Sequence, residues 1–113
     1  MVVSAADTAQ ALGSGELAVL GTPRVVALAE QATVAALAGR LCPDETTVGA
    51  RVEIDHVAPS FVGDAVCAEA SLDDVAGSRL TFSVTVSDEV SGRELARVVV
   101  GRVVVGRAGF EKK

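Results

Sequence analysis

Hydrophobic and polar positions change period once, sharply, near the middle of the chain. From Thr22 to Gly39 the residues are apolar almost without a break. Between Pro23 and Ala38 the only polar positions are Arg24, Glu30, Gln31 and Thr33. Thr22 reads as an N-cap, Pro23 as the first helical position, and Gly39 as the C-terminal stop. A helix apolar nearly all round is a buried one. Its alanines let a sheet approach closely.

After Cys42-Pro43-Asp44 the period becomes two. Val48, Ala50, Val52, Ile54 and His56 alternate with Arg51, Glu53 and Asp55, which predicts a half-buried strand over Thr47–Val57. Pro59 and Gly63-Asp64 mark a turn. Val66, Ala68, Ala70 and Leu72 share one face of a second strand, closed by Asp73-Asp74 and Gly77-Ser78. Leu80, Phe82, Val84 and Val86 alternate most cleanly within Ser78–Ser87. The last strand, Arg93–Val105, carries Arg97 and Arg102 in opposite phase, and a bulge at Gly101 would return them to one face. Before the helix, Val2-Val3-Ser4 predicts a short strand, Asp7 to Leu12 a helical turn or two, and Gly13-Ser14-Gly15 a loop. The tail, Gly106 to Lys113, is expected to fray. The fold class is α+β: a curved antiparallel sheet wrapped around one long central helix, in a single domain over 1–113.

Composition narrows the function. Half of the 113 residues are hydrophobic but only 3% are aromatic, with 21 Val, 19 Ala and 9 Leu. Mean hydropathy is +0.44, high enough to predict apolar surface closed by a second copy. The runs Val98-Val99-Val100 and Val103-Val104-Val105 look too apolar for an exposed sheet edge, which points the same way. A net charge of −5 excludes a nucleic-acid partner, because no basic excess is available to displace counterions. Leu17 to Leu41 holds Arg24, Glu30 and Arg40, so no uncharged run approaches the ~20 residues of a membrane span. Met1 to Gln10 has no basic residue and is no signal peptide. Cys42 and Cys67 read as reduced packing residues of a cytoplasmic protein. One histidine and scattered carboxylates make no metal-ligand set, and no cofactor is implied.

Three residues could carry chemistry. Glu30 shares a helical face with Val26, Val34 and Leu37, where a carboxylate is costly unless paired or hydrogen-bonded. His56, the only histidine, ends an apolar row beside a proline-containing loop. Thr22 is accounted for as a cap, yet its hydroxyl keeps a proton to give, and a helix start favours a developing oxyanion. Together they offer a hydroxyl, a carboxylate and an imidazole, the ingredients of acyl transfer. Gly49 inside a strand marks close approach of backbone or ligand. Eight of the ten basic residues are arginine, so Arg24, Arg40, Arg79, Arg97 and Arg102 are either a solvated face or contacts for a nucleotide tail.

The run Gly21-Thr22-Pro23-Arg24-Val25-Val26-Ala27-Leu28-Ala29-Glu30-Gln31-Ala32 resembles the start of the central helix in hotdog thioesterases of the fluoroacetyl-CoA thioesterase-like group. Thr47-Val48-Gly49 and Ile54-Asp55-His56-Val57-Ala58-Pro59 resemble that group's second strand and following loop. The likeness extends from about Asp7 to Val105. It implies a hotdog fold, a Thr22/Glu30/His56 catalytic constellation, Gly49 and Pro23 lining the substrate site, and a homodimer or higher homo-oligomer. The segment Gly13 to Gly21 holds no aromatic residue, and the first is Phe61. The reaction class carries over rather than a named acyl group.

The expected function is hydrolysis of a small or medium acyl thioester of CoA or acyl carrier protein. Thr22 either attacks the carbonyl or orients substrate for a water activated by Glu30 or His56. The alternatives are a non-catalytic hotdog dimer that binds an acyl thioester or small apolar ligand, and a purely structural dimer.

Overall fold

Leu80, Phe82, Val84 and Val86 are all buried, as their alternation requires. They belong to one of four long strands that the computed structural model, which describes residues 1–111, forms into a single antiparallel sheet. The strands are β1 (Glu45–His56), β2 (Val66–Ala76), β3 (Arg79–Asp88) and β4 (Glu94–Gly106), ordered β1-β4-β3-β2. A short helix α1 (Ala9–Leu12) and the long helix α2 (Thr22–Ala36) precede them, and α3 (Arg107–Glu111) follows. The architecture is the expected α+β one: α2 lies on the inner face, over Phe82, Val84, Val98 and Val100. Val2 pairs with Ala65 beside the start of β2, where the short N-terminal strand was expected. Of the tail expected to fray, Arg107–Glu111 is helical, and Lys112 and Lys113 lie outside the described residues.

Several expectations are corrected. Thr22 is not the N-cap. Gly21 takes that position with extended backbone, and its carbonyl accepts the Arg24 and Val25 N–H groups. A side chain there would be crowded, since a Cβ would stand 3.1 Å from the backbone of Ala9. Thr22 and Pro23 therefore move one place into the helix. The helix also stops at Ala36; Gly39 sits in the turn beyond it at φ 75°. Nor is α2 buried all round. Val25, Ala29 and Thr33 form a buried stripe that the cap residue Leu37 continues, while Val34 is 53% exposed, because one sheet covers only one side of a helix.

The bulge lies in β1 rather than at Gly101. Gly49 pairs with Arg102 and Arg51 with Gly101, which leaves Ala50 as the extra residue. Arg102 is buried and Arg97 exposed, so the two arginines face opposite ways and β4 keeps its phase. In β1 the even residues Val52 and Ile54 pack on the core as expected, but Val48 and Ala50 do not. Thr47 and Gly49 take the inner face before the bulge. Asp73-Asp74 does not end β2; it marks a second register shift inside it, and the hairpin turns at Gly77-Ser78. The valine runs of β4 lie between β1 and β3, in the interior of the sheet. They say nothing about an edge. The edges are β1 and β2. Cys42 is exposed and Cys67 half-buried, so only the latter packs.

Candidate active site

The end of β1 and the start of α2 meet because the loops beside them are tied together. Val57 and Ala58 N–H groups donate to the Leu95 carbonyl, which anchors His56 opposite Ala96. Leu20 N–H donates to the Ser60 carbonyl, and Val19 pairs with Phe61. These bonds bring residue 22 to residue 56. Thr22 Oγ1 and His56 Nδ1 stand 2.9 Å apart. Because Gly21 caps the helix, the Thr22 hydroxyl is free of the capping role and turns to the imidazole. The other ring nitrogen, Nε2, is buried and has no hydrogen-bond partner among the described residues. His56 also lines a shallow surface pocket of about 220 Å³ with Val19, Leu20, Val57, Ala58 and Pro59. Pro23 is exposed next to Thr22.

Glu30 sits elsewhere. It is eight residues along α2, about 12 Å in axial rise. Its Oε2 lies 3.6 Å from Arg102 Nη1, an ion pair rather than a hydrogen bond. Arg102 is buried, donating from Nε to Thr47 Oγ1 at 2.9 Å and from Nη2 to the Thr47 carbonyl at 3.3 Å. Gly49 completes this cluster: a Cβ there would stand 2.5 Å from Glu30 Oε2. Its missing side chain is the space the carboxylate occupies. The structure thus brings Thr22 and His56 together, joins Glu30 to Gly49, and holds the two groups two helical turns apart.

Arg102 and Thr47 were not anticipated in these roles. An inward arginine on an otherwise valine-rich strand was the signal for Arg102; Thr47 carried none. Asp7 was also missed. Its carboxylate accepts from Ser4 N–H at 2.8 Å, Ser4 Oγ at 2.9 Å and Arg24 Nε at 3.1 Å. The Ser4 N–H does most to hold its pKa below the ordinary 3.8, with Ser4 Oγ and Arg24 adding to it against burial. The charge of Glu45 raises the Cys42 thiol pKa, which disfavours its thiolate. Among the described residues no group of His, Cys, Asp and Glu has a metal-holding arrangement.

A curved antiparallel sheet over one helix is the hotdog arrangement, and here a hydroxyl–imidazole pair stands where strand end meets helix start. A family model for the fluoroacetyl-CoA-specific thioesterase FlK matches residues 3–108. The chain belongs to that family, and by family it is an acyl-CoA thioesterase, a thioester hydrolase. The solved fluoroacetyl-CoA thioesterase FlK is 31% identical over 99% of this chain and 86% of that one, with a TM-score of 0.87. A mutant of it in complex with fluoroacetate and CoA is 32% identical over 97% and 91%, with a TM-score of 0.86. A hot-dog-like protein from Thermanaerovibrio acidaminovorans is 28% identical over 99% and 82%, with a TM-score of 0.88. No curated protein sequence matches at a significant level.

Proposed function

We propose that this chain, a single domain over 1–113, hydrolyses small to medium acyl thioesters of CoA or acyl carrier protein through Thr22, His56 and Glu30. The observation that carries the reading is the 2.9 Å approach of Thr22 Oγ1 to His56 Nδ1 at the start of α2. His56 takes the Thr22 proton as Oγ1 attacks the thioester carbonyl. Pro23 has no N–H and the Arg24 N–H already donates to Gly21, so the Thr22 N–H and the positive end of the helix dipole are what favour the oxyanion that forms. The tetrahedral adduct collapses, the C–S bond breaks, and His56 returns the proton to the departing thiolate. Water then attacks the Thr22 ester, His56 takes its proton and delivers it to Thr22 Oγ1 as the acid leaves, and Glu30, held by Arg102 two turns along α2, favours the His56 imidazolium of this step by its charge. Gly49 keeps room for the Glu30 carboxylate, and Pro23 borders the approach to Thr22.

The working unit is a homodimer. β1 is a 12-residue edge strand, and the flank of α2 at Val34 is open in one chain. A second copy along that edge extends the sheet and covers apolar surface. Light scattering at micromolar concentration should report about twice 11.4 kDa. The compartment is cytoplasmic, where two free cysteines stay reduced; no described helix is long and apolar enough to cross a membrane.

The test is free-thiol release across a panel of acyl-CoAs, with intact-mass spectrometry on Glu30→Gln. Turnover on short chains and an acyl adduct on Thr22 in that variant are expected. Absence of thiol release with every thioester, alongside measurable acyl-CoA binding, would establish the non-catalytic alternative.

A further inference from the structure

We infer that Asp7 is a positioning residue that frees the Thr22 hydroxyl for reaction. The inference rests on the reading that Thr22 carries the chemistry. Asp7 is the only charged residue among the first fifteen. It grips the start of α2 from both sides of Thr22-Pro23. The backbone carbonyl of residue 7 accepts the Gly21 N–H at 2.9 Å, a bond independent of the side chain, and the Asp7 carboxylate accepts Arg24 Nε at 3.1 Å. Ser4 locks that carboxylate through two further hydrogen bonds, from its N–H and its Oγ. The side chain of Asp7 is only 16% exposed.

An ordinary helix start uses a Ser, Thr, Asp or Asn side chain to satisfy its first N–H groups. Here the cap is Gly21, which has no side chain and only crowded space for one, with Leu12 Cδ1 2.9 Å and the Ala9 backbone 3.1 Å from where a Cβ would be. If the helix began one residue later, Thr22 would be the cap and its oxygen would turn back onto the backbone. The Asp7 carboxylate, by holding Arg24 in the first turn, keeps the helix start at Gly21 instead, beside the backbone bond from Gly21 to residue 7. The negative charge also stands at the positive end of the helix dipole and stays ionised, its pKa lowered chiefly by the Ser4 N–H. Thr22 thus becomes the first helical residue, with its hydroxyl turned to His56.

The experiment is a kinetic cycle on the full chain: Asp7→Asn, Thr22→Ala and the pair, read by thiol release, with circular dichroism to verify folding. Asp7→Asn should lower kcat about tenfold with KM within about twofold, as expected for a misplaced reacting group. In the Thr22→Ala background the same change should cost nothing further. An unchanged kcat in folded Asp7→Asn, or an equal loss in both backgrounds, overturns the proposal. If Asp7→Asn does not fold, Arg24→Gln removes one side of the grip and goes through the same cycle. Full turnover in Thr22→Ala would instead overturn the role of Thr22 itself, whatever Asp7 does.

Discussion

The two polar clusters under α2 use their bonding capacity differently. At the helix start, Thr22 and His56 share one hydrogen bond, and the imidazole keeps a buried nitrogen with no partner among the described residues. Two turns on, Arg102 spends its donors on Thr47 and its charge on Glu30, and Gly49 closes the space around the carboxylate. The first cluster keeps unused capacity; the second is largely committed to its own geometry. Groups that must exchange a proton need spare valences, whereas groups that orient a charge need few. In the proposed reaction, bond-making falls to Thr22 and His56 and the holding of one carboxylate to Arg102, Thr47 and Gly49.

The largest effect should come from breaking the reactive side. Thr22→Ala or His56→Ala should lower kcat more than about a hundredfold, or about 2.7 kcal/mol of barrier, with the fold retained. Glu30→Gln should lower turnover to a similar extent. If the two clusters serve one cycle, His56→Ala combined with Glu30→Gln should be scarcely worse than either alone. Multiplicative losses would separate them into independent functions.

Arg102→Gln attacks the holding side and should register first in stability. Removing a buried guanidinium leaves Thr47 and Glu30 short of partners, at a cost of about 2 kcal/mol once the partial exposure of Glu30 is allowed for. Thermal unfolding followed by circular dichroism reads it as a fall of roughly 8 °C or more. A variant with wild-type Tm would show the ion pair to be structurally idle.

Gly49→Ala should be milder, because the atom it crowds is the mobile end of a carboxylate. About a tenfold loss of kcat is expected as Glu30 swings from Arg102, with Tm nearly unchanged. No loss would remove Gly49 from the site.

The smallest effect concerns acid stability. The Asp7 pKa is lower in the folded chain than its ordinary 3.8. Its contribution is therefore complete above that value and is lost as pH falls through the folded one. The Tm difference between wild type and Asp7→Asn should be constant from pH 7 to about 5 and narrow below about 4. A difference that widens on acidification has the wrong sign for this carboxylate.

Element order and the inner face of β3 were legible because every local signal there agrees: alternation, turn residues and β-branched composition. The partners of Thr22 and His56 were legible only as types, since nothing local joins positions 34 apart. Three features were not legible. The cap at Gly21 depends on crowding by Ala9, a tertiary contact. The open flank of α2 depends on how much sheet is available to cover it. The bulge at Ala50 belongs to the pairing of β1 with β4 and leaves no mark on β1 alone, so the broken phase was assigned to the wrong strand.

That bulge has a consequence in parity. Gly49 and His56 are seven residues apart, an odd number, and strict alternation sends odd-spaced residues to opposite faces. The one extra residue at Ala50 cancels the mismatch and brings both to the helix side. Substitution at any single position cannot reproduce this, because side-chain identity does not alter parity. Deleting Ala50 would turn either Thr47 and Gly49 or Val52, Ile54 and His56 toward solvent. The alignment of the two clusters along one strand is therefore a matter of residue count, open to change by insertion or deletion and closed to point mutation.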